Sequence, residues 1–346
     1  MNISPLKQKV RLILSTLRFA KGIQHFRKDG ETPMESYYAM RDLYSLTNGR
    51  FNDLISWLQM SRHPKNLEVI PSGILGKLSN FEVKNIAAEI KKNGYYIASK
   101  KIDLDTANKL VEFCKTTPCK PLKINSEDFQ DFADKKVIFN PLSPIAPTYH
   151  FNMKQVSENL DFLSLILDQS LLAVAQEYLN CSPVLDSVAL WWSAPFNGKG
   201  TSEAAQEFHY DMDRIKFLKI FIYLTDVNSE NGPHCYVKES HIRKPRALLS
   251  DGRKSDSEIK IHYSESQINE LHGSQGTIIL ADTRGFHKGK PLASGHRLIF
   301  QLEYSNSLFG QNYPKVRLDE LHDASELRKL IDKYPRTYGQ IFEMSS

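Results

Sequence analysis

The sequence reads Phe208-His209-Tyr210-Asp211 near its middle and, further on, Ala281-Asp282-Thr283-Arg284-Gly285-Phe286-His287. Residues two apart in an extended strand project from the same face, so the His209 imidazole and the Asp211 carboxylate can reach one point in space. His287 follows the apolar run 277–281 and is predicted to stand at the end of another strand. Two imidazoles and one carboxylate form the facial triad that binds non-haem Fe(II) and leaves other coordination positions open.

Arg297 lies beyond His287, in the predicted strand 296–302. A guanidinium group binds a carboxylate bidentately, as the far end of 2-oxoglutarate would require. A hairpin that closes around residues 291–295 is expected to bring Arg297 close to residues 287–289. Other histidines compete for the third ligand position: His234, His241, His262 and His272. His287 is favoured because a buried strand leads into it, whereas His234 and His241 flank a turn and are expected to have local roles.

Further motifs follow the His-x-Asp pair in a characteristic order: the strand Lys219-Ile220-Phe221-Ile222-Tyr223-Leu224-Thr225-Asp226-Val227, then Glu230-Asn231-Gly232-Pro233, then Glu239-Ser240-His241. With these motifs the chain resembles the phytanoyl-CoA-dioxygenase-like 2-oxoglutarate/Fe(II) oxygenases over roughly residues 80–305. Two positions depart from the family pattern. Gly289 stands where a small polar residue is frequent, which removes one possible hydrogen bond to the co-substrate, and Glu239 replaces a glycine in a loop.

The resemblance implies a cofactor set and a reaction. Fe(II) would be held by His209, Asp211 and His287, and 2-oxoglutarate would bind the iron and pair its distal carboxylate with Arg297. Reaction with O2 would release succinate and hydroxylate an unactivated C–H bond of a small-molecule or lipid-like substrate. Because related halogenases lack the carboxylate, Asp211 favours hydroxylation, or desaturation, over halogenation. No catalytic residue beyond the metal ligands is predicted.

The strand 217–224 has two different faces. One face is purely aliphatic, and the other carries Lys219, Phe221 and Tyr223. If the second face points inward, Lys219 gives the co-substrate another cationic contact and Phe221 shapes its slot. The alternative is an ordinary half-exposed strand with Lys219 in water.

The predicted fold is mainly β with flanking helices (α+β), a double-stranded β-helix or jelly roll with the metal at its open end. Residues 1–79 are expected to form a helical N-terminal extension, 80–310 the oxygenase domain, and 311–346 a helical tail packed on it. Apolar spacing predicts one helix over 160–179 and another over 316–334.

Residues 5–21 have the pattern of a basic amphipathic helix. Leu6, Val10, Ile13, Leu14 and Leu17 fall at helical spacing among lysines and arginines. This stripe could pack against the rest of the chain, lie on an anionic membrane or a partner, or belong to an organellar presequence. Nucleic acid is not an expected partner, because one short basic helix lacks interleaved aromatic platforms.

The composition is that of a globular protein. Hydrophobic residues make up 41% and charged residues 25% of the 346 residues, and the net charge is only +5. The four cysteines are scattered without a Cys-x-x-Cys pair, which favours reduced thiols. With no apolar run long enough for a membrane span and no signal-peptide pattern, a cytoplasmic location is expected.

Two other functions fit parts of this pattern. One is a catalytically silent jelly roll that serves as an interaction or membrane-surface module, with the basic helix as its working part. The other is a cupin-like metalloenzyme that does not use 2-oxoglutarate, which Arg297 disfavours. The substrate cannot be read from the sequence, because specificity resides in loops such as 115–150 and 243–272. The second of these is either a lid, whose basic residues could meet an anionic substrate, or a solvated surface.

Overall fold

The computed structural model describes residues 5–122, 136–196, 205–321 and 324–343. Its helices are α1 Pro5–Asp29, α2 Met34–Thr47, α3 Arg50–Arg62, α4 Asn80–Asn93, α5 Leu104–Thr116, α6 Met153–Glu158, α7 Leu160–Ile166, α8 Gln169–Leu179, α9 Asp256–His262, α10 Ser325–Lys333 and α11 Pro335–Tyr338. Its strands are β1 Ser72–Gly73, β2 Gly76–Lys77, β3 Tyr95–Ile97, β4 Lys120–Leu122, β5 Thr148–His150, β6 Val184–Ser193, β7 Phe217–Tyr223, β8 His234–Val237, β9 Ile268–Leu271, β10 Ile278–Ala281, β11 His287–Gly289, β12 Arg297–Ser305, β13 Val316–Arg317 and β14 Phe342–Glu343.

Two antiparallel sheets form the centre of the molecule. The major sheet has the strand order β3-β10-β7-β12-β6-β5-β4, and the minor sheet has the order β11-β8-β9. His209 extends the minor sheet through an isolated bridge to His287. This arrangement confirms the predicted double-stranded β-helix with flanking helices.

The major sheet separates two different environments. From β7, Leu218, Ile220 and Ile222 are completely buried in a core shared with α4, α5 and α8. The alternate residues Phe221 and Tyr223 pack between the sheets. The predicted alternation of this strand is therefore correct. The alternative that placed Lys219 in water is wrong, because that side chain is buried.

Local sequence signals position the helices that back the sheet. Ser79 and Glu82 form a capping box at the start of α4, and Gly94 ends the helix with a positive φ of 90°. Asp168 explains why the predicted helix 160–179 is in fact two helices, α7 and α8. Its carboxylate accepts a hydrogen bond from the Leu171 backbone and so caps a new helix start.

Two other predictions of secondary structure are wrong. Residues 316–334 are not one helix, since β13 pairs with β14 in a parallel bridge and α10 begins only at Ser325. Residues 243–272 are not the long loop that their polarity suggested. They contain α9 and β9, and the Lys254 backbone N–H donates to the Phe208 carbonyl at 2.7 Å. This segment therefore supports the minor sheet.

Helix α1 is longer than predicted, and the face that it packs on the protein is not the predicted apolar face. It faces α2 with Phe19, Gly22 and Ser15, whose hydroxyl donates to Asp42 at 2.6 Å. The predicted apolar stripe lies on the opposite side, where Leu6, Val10, Ile13, Leu14 and Leu17 are between 48% and 72% exposed. The expectation that the stripe packs on the rest of the chain is wrong. No helix in the described ranges combines the length and apolarity needed to cross a membrane.

Candidate metal centre

Backbone pairing brings His209 and His287 side by side. The His209 N–H donates to the His287 carbonyl at 3.0 Å, and the His287 N–H donates to the His209 carbonyl at 2.8 Å. Residues that pair directly across two antiparallel strands project from the same face. The two imidazole centroids are accordingly 4.3 Å apart.

Asp211 completes a cluster of three ligands. One ligand atom from each of His209, Asp211 and His287 lies within 4.8 Å of the others. The His209 Nε2 atom is 3.6 Å from Asp211 Oδ1, and His287 Nε2 is 3.3 Å from Asp211 Oδ2. The structure thus brings together the three residues that the sequence selected, and two imidazoles with one carboxylate suit Fe(II).

Both imidazoles are held in the orientation that a metal requires. The Nδ1 atom of His209 lies 2.9 Å from the Glu207 carbonyl, and Nδ1 of His287 lies 3.0 Å from the Gly285 carbonyl. A proton on Nδ1 that donates to a carbonyl leaves the Nε2 lone pair free for a metal. Burial, aided by the neighbouring His287, lowers the pKa of His209 to about 3, so this imidazole is neutral at ordinary pH.

Lys219 holds the carboxylate of the cluster. Its ammonium lies 2.8 Å from Asp211, 3.1 Å from Asp213 and 3.3 Å from Glu303. Burial by itself would raise the pKa of Asp211, but the Lys219 charge holds that pKa well below its usual range. The contacts of Lys219 are thus with carboxylates, and its predicted contact with 2-oxoglutarate stays a prediction.

Arg297 lies at the start of β12 with only 6% of its surface exposed. Its Nη2 atom is 3.3 Å from the Ser193 hydroxyl, whereas Nε and Nη1 have no hydrogen-bond partner among the described residues. A buried charged donor without a partner is costly, so this guanidinium is suited to bind an anion.

The position of Arg297 next to residues 287–289 is as predicted, but its cause is different. A Cβ atom at Gly289 would lie 3.4 Å from the Arg297 Nη2 atom. The predicted hairpin does not form, because β11 pairs with β8 in the minor sheet while β12 pairs with β6 and β7 in the major sheet. The two residues therefore meet across the space between the sheets.

His234 was missed by the sequence interpretation, which gave it a local turn role. It is the first residue of β8, it is buried, and its Nε2 atom has no partner in the described part of the chain. Its ring is stacked on His287 with centroids 5.4 Å apart, and it lies 4.8 Å from the ring of Phe221. The sequence did contain one indication. His234 and Tyr236 are two residues apart in the strand β8 and therefore project from the same face of the sheet.

The remaining histidines that competed with His287 lie outside the cluster. His241 contacts the Lys91 carbonyl at 2.9 Å, and His272 pairs with Glu270 at 3.1 Å. His262 ends α9 on an exposed position. None of these three shares the site with His209 and Asp211.

Among known protein families, the chain matches the model described as phytanoyl-CoA dioxygenase (PhyH) over residues 119–298. The matched residues make up more than half of the 346-residue chain. The chain belongs to the phytanoyl-CoA dioxygenase family. As a member of this family it is a 2-oxoglutarate-dependent oxygenase that uses Fe(II) and O2. His209, Asp211, His287 and Arg297 all lie inside the matched residues.

Several solved structures are similar to this member of the phytanoyl-CoA dioxygenase family. EctD from S. alaskensis with bound Fe is 17% identical, with a TM-score of 0.48, over 73% of this chain and 88% of that chain. The alpha-ketoglutarate-dependent epimerase SnoN from nogalamycin biosynthesis is 14% identical, with a TM-score of 0.47, over 66% and 84%. HygX from Streptomyces hygroscopicus, with nickel, 2-oxoglutarate and hygromycin B bound, is 15% identical, with a TM-score of 0.42, over 72% and 94%. No curated protein sequence matches the chain.

Proposed function

We propose that this chain is a dioxygenase that hydroxylates an unactivated C–H bond of a small-molecule or lipid-like substrate. Fe(II) would be bound by His209, Asp211 and His287, and Arg297 would bind the distal carboxylate of 2-oxoglutarate. Residues 80–310 would form the oxygenase domain, with 1–79 as a helical extension and 311–346 as a C-terminal tail.

One observation carries this proposal. Three ligand atoms converge within 4.8 Å of one another, and a buried guanidinium lies nearby on the facing sheet, with two nitrogens that have no partner in the described ranges. A metal would satisfy the first group, and a carboxylate would satisfy the second. 2-Oxoglutarate carries a metal-chelating end and a distal carboxylate in one molecule, and so suits both.

The contacts of the protein support a distinct task for each residue. The carbonyl groups of Glu207 and Gly285 orient the two imidazoles, and Lys219 keeps Asp211 ionised. Phe221 would form an apolar wall beside the co-substrate. When bound, iron with 2-oxoglutarate and O2 supplies the oxidising chemistry, and the protein selects the substrate bond that is exposed to it. The Asp211 carboxylate favours hydroxylation over halogenation.

An anionic substrate is part of the proposal. The segment 243–272 holds six lysines and arginines and five aspartates and glutamates. Besides burial and His287, the charge of its Arg253 lies close enough to lower the pKa of His209, and the Lys254 backbone N–H donates to Phe208, the neighbour of His209. Positive charge beside a metal site raises the local concentration of anions.

Succinate formation from 2-oxoglutarate tests the assignment. We expect it to require Fe(II) in the wild-type protein and to be lost in His209→Ala. His272→Ala is the matched control, since this exposed histidine pairs with Glu270 away from the cluster. Full activity of His209→Ala, or oxidation without 2-oxoglutarate, would contradict the proposal. The same assay with panels of acyl-CoA, lipid, amino-acid and sugar compounds would identify the substrate class.

We also propose that α1 attaches the enzyme to an anionic membrane surface. Its exposed stripe points directly away from the side that packs on α2. Residues 1–28 contain seven lysines and arginines and no acidic residue. An exposed apolar stripe bordered by cations matches a phospholipid surface of negative charge, where each lysine or arginine contributes about 1 kcal/mol. A second copy of the helix fits less well, because its border carries the same charge.

Flotation with vesicles tests this attachment on the whole chain. We expect binding to phosphatidylcholine vesicles that contain phosphatidylglycerol, little binding to phosphatidylcholine alone, and loss of binding in Ile13→Glu/Leu17→Glu. Ile261→Glu is the control, because Ile261 is an exposed apolar residue on α9. The proposal would be overturned if the protein dimerised through this stripe in solution, or if vesicle binding survived the double substitution.

A further inference from the structure

The strand register pairs His234 with a glycine, a residue that has no side chain. In the minor sheet, β8 and β11 pair His234 directly with Gly289. Side chains of directly paired residues lie on the same face, so the His234 ring stands beside the space that Gly289 leaves open. That space also borders Arg297, since a Cβ at Gly289 would be 3.4 Å from Nη2 and 3.8 Å from Nη1 of the guanidinium. The His234 ring and the Arg297 guanidinium thus both border the space beside Gly289.

The two side chains beside Gly289 carry polar nitrogens that lack partners in the part of the chain that the structure describes. The Nε2 atom of His234 and the Nε and Nη1 atoms of Arg297 have no hydrogen-bond partner among the described residues, and both side chains are buried. Leaving a buried donor unpaired costs about 1–3 kcal/mol, and more for a charged group. Two residues from facing sheets share this deficit at the same place, which indicates that one polar ligand satisfies both.

The surroundings of His234 fix the direction of its ring. It is stacked on His287 at an interplanar angle of 19°, and the ring of Phe221 lies 4.8 Å away. Stacking holds the plane of the imidazole, so tilting the ring out of that plane would cost it both contacts. A neutral imidazole with its proton on Nε2 is a single, well-directed donor.

We propose that His234 donates a hydrogen bond from Nε2 to the carboxylate that Arg297 binds, and so supplies a third donor for the distal end of 2-oxoglutarate. This inference rests on the proposed function. A carboxylate accepts up to about four hydrogen bonds, so the two-pronged guanidinium leaves room for the imidazole. Gly289 has its own part, because it offers the co-substrate no side-chain donor, and His234 on the paired strand supplies a hydrogen bond that this position lacks.

Binding of 2-oxoglutarate to the Mn(II)-loaded protein, measured by calorimetry without O2, tests the inference independently of turnover. His234→Phe keeps the ring and removes the nitrogens, and we expect it to raise the dissociation constant about 10- to 100-fold, the range for a hydrogen bond to a charged group. His234→Gln keeps a donor and should restore most of the affinity. If the Phe variant does not fold, His234→Leu gives the same comparison.

A second ligand isolates the distal carboxylate. 2-Oxobutyrate is 2-oxoglutarate without that group, so its affinity should be the same in the wild type and in His234→Phe. Equal binding of 2-oxoglutarate by the wild type and His234→Phe would overturn the inference, as would an equal loss for both ligands. Wild-type protein that binds Mn(II) but no 2-oxoglutarate would overturn the proposed function itself. An unchanged Mn(II) affinity in the variants shows that the metal site is intact.

Discussion

The two faces of the major sheet come from the same strands and have opposite properties. On the face toward the helices, Leu218, Ile220 and Ile222 of β7 are fully buried among apolar side chains. On the face toward the minor sheet, Lys219 and Arg297 carry charge into a buried space. The difference teaches that one face of each strand packs the apolar core, whereas the other face places buried charge beside the cluster of His209, Asp211 and His287. Substitutions on the two faces should therefore have separable effects.

The largest effect is expected from Arg297→Gln. Removing one partner of a buried charge pair costs about 2 kcal/mol or more, which corresponds to a rise of at least ~30-fold in the dissociation constant of 2-oxoglutarate. Calorimetry on the Mn(II)-loaded protein measures this change. Arg317→Gln is the control, because Arg317 is exposed and pairs with Asp319. Equal affinities in wild type and Arg297→Gln would mean that the inner face does not bind the co-substrate here.

A smaller effect is expected from Lys219→Met. The substitution keeps the length of the side chain but removes the ammonium that lies 2.8 Å from Asp211. Loss of a group that orients a metal ligand lowers metal affinity by about 10- to 100-fold. A competition titration with a metal-binding dye would measure the change. Lys288→Met serves for comparison, since Lys288 pairs with the exposed Asp256. If both variants bind metal equally well, Lys219 does not position Asp211.

The smallest effect on the site is expected from Ile222→Val on the helix-facing side. Deleting one buried methyl group costs about 0.5–1.5 kcal/mol of unfolding free energy. Urea unfolding should show this loss, while affinities for Mn(II) and 2-oxoglutarate stay at wild-type values. A change in either affinity larger than the change in stability would show that the two faces are coupled.

The metal cluster was predictable because its signal is local. His209 and Asp211 are two residues apart in an extended segment, and a buried strand leads into His287. The ion pairs of Lys219 with Asp213 and Glu303 could not be predicted from the sequence. Glu303 lies on another strand, far along the chain from Lys219. Pairing between strands decided those contacts.

Helix α1 shows a different limit of sequence reasoning. Its 3.6-residue period was correctly recognised, but the period alone does not say which side meets the protein. The buried side is formed by Ser15, Phe19 and Gly22, and Gly22 lies against Ser36 of α2. Small residues permit this close approach of two helices, and that preference outweighed the larger aliphatic stripe. Hydrophobicity alone predicted that the opposite face of α1, with the aliphatic stripe, would be the buried one.

The placement of the site between the sheets has a mechanical consequence. His209 and His287 belong to the minor sheet, whereas Arg297 and Lys219 belong to the major sheet. A molecule bound at one end by the iron and at the other by the guanidinium would connect the two sheets at the open end of the barrel. Co-substrate would then link the two sheets before any substrate arrives.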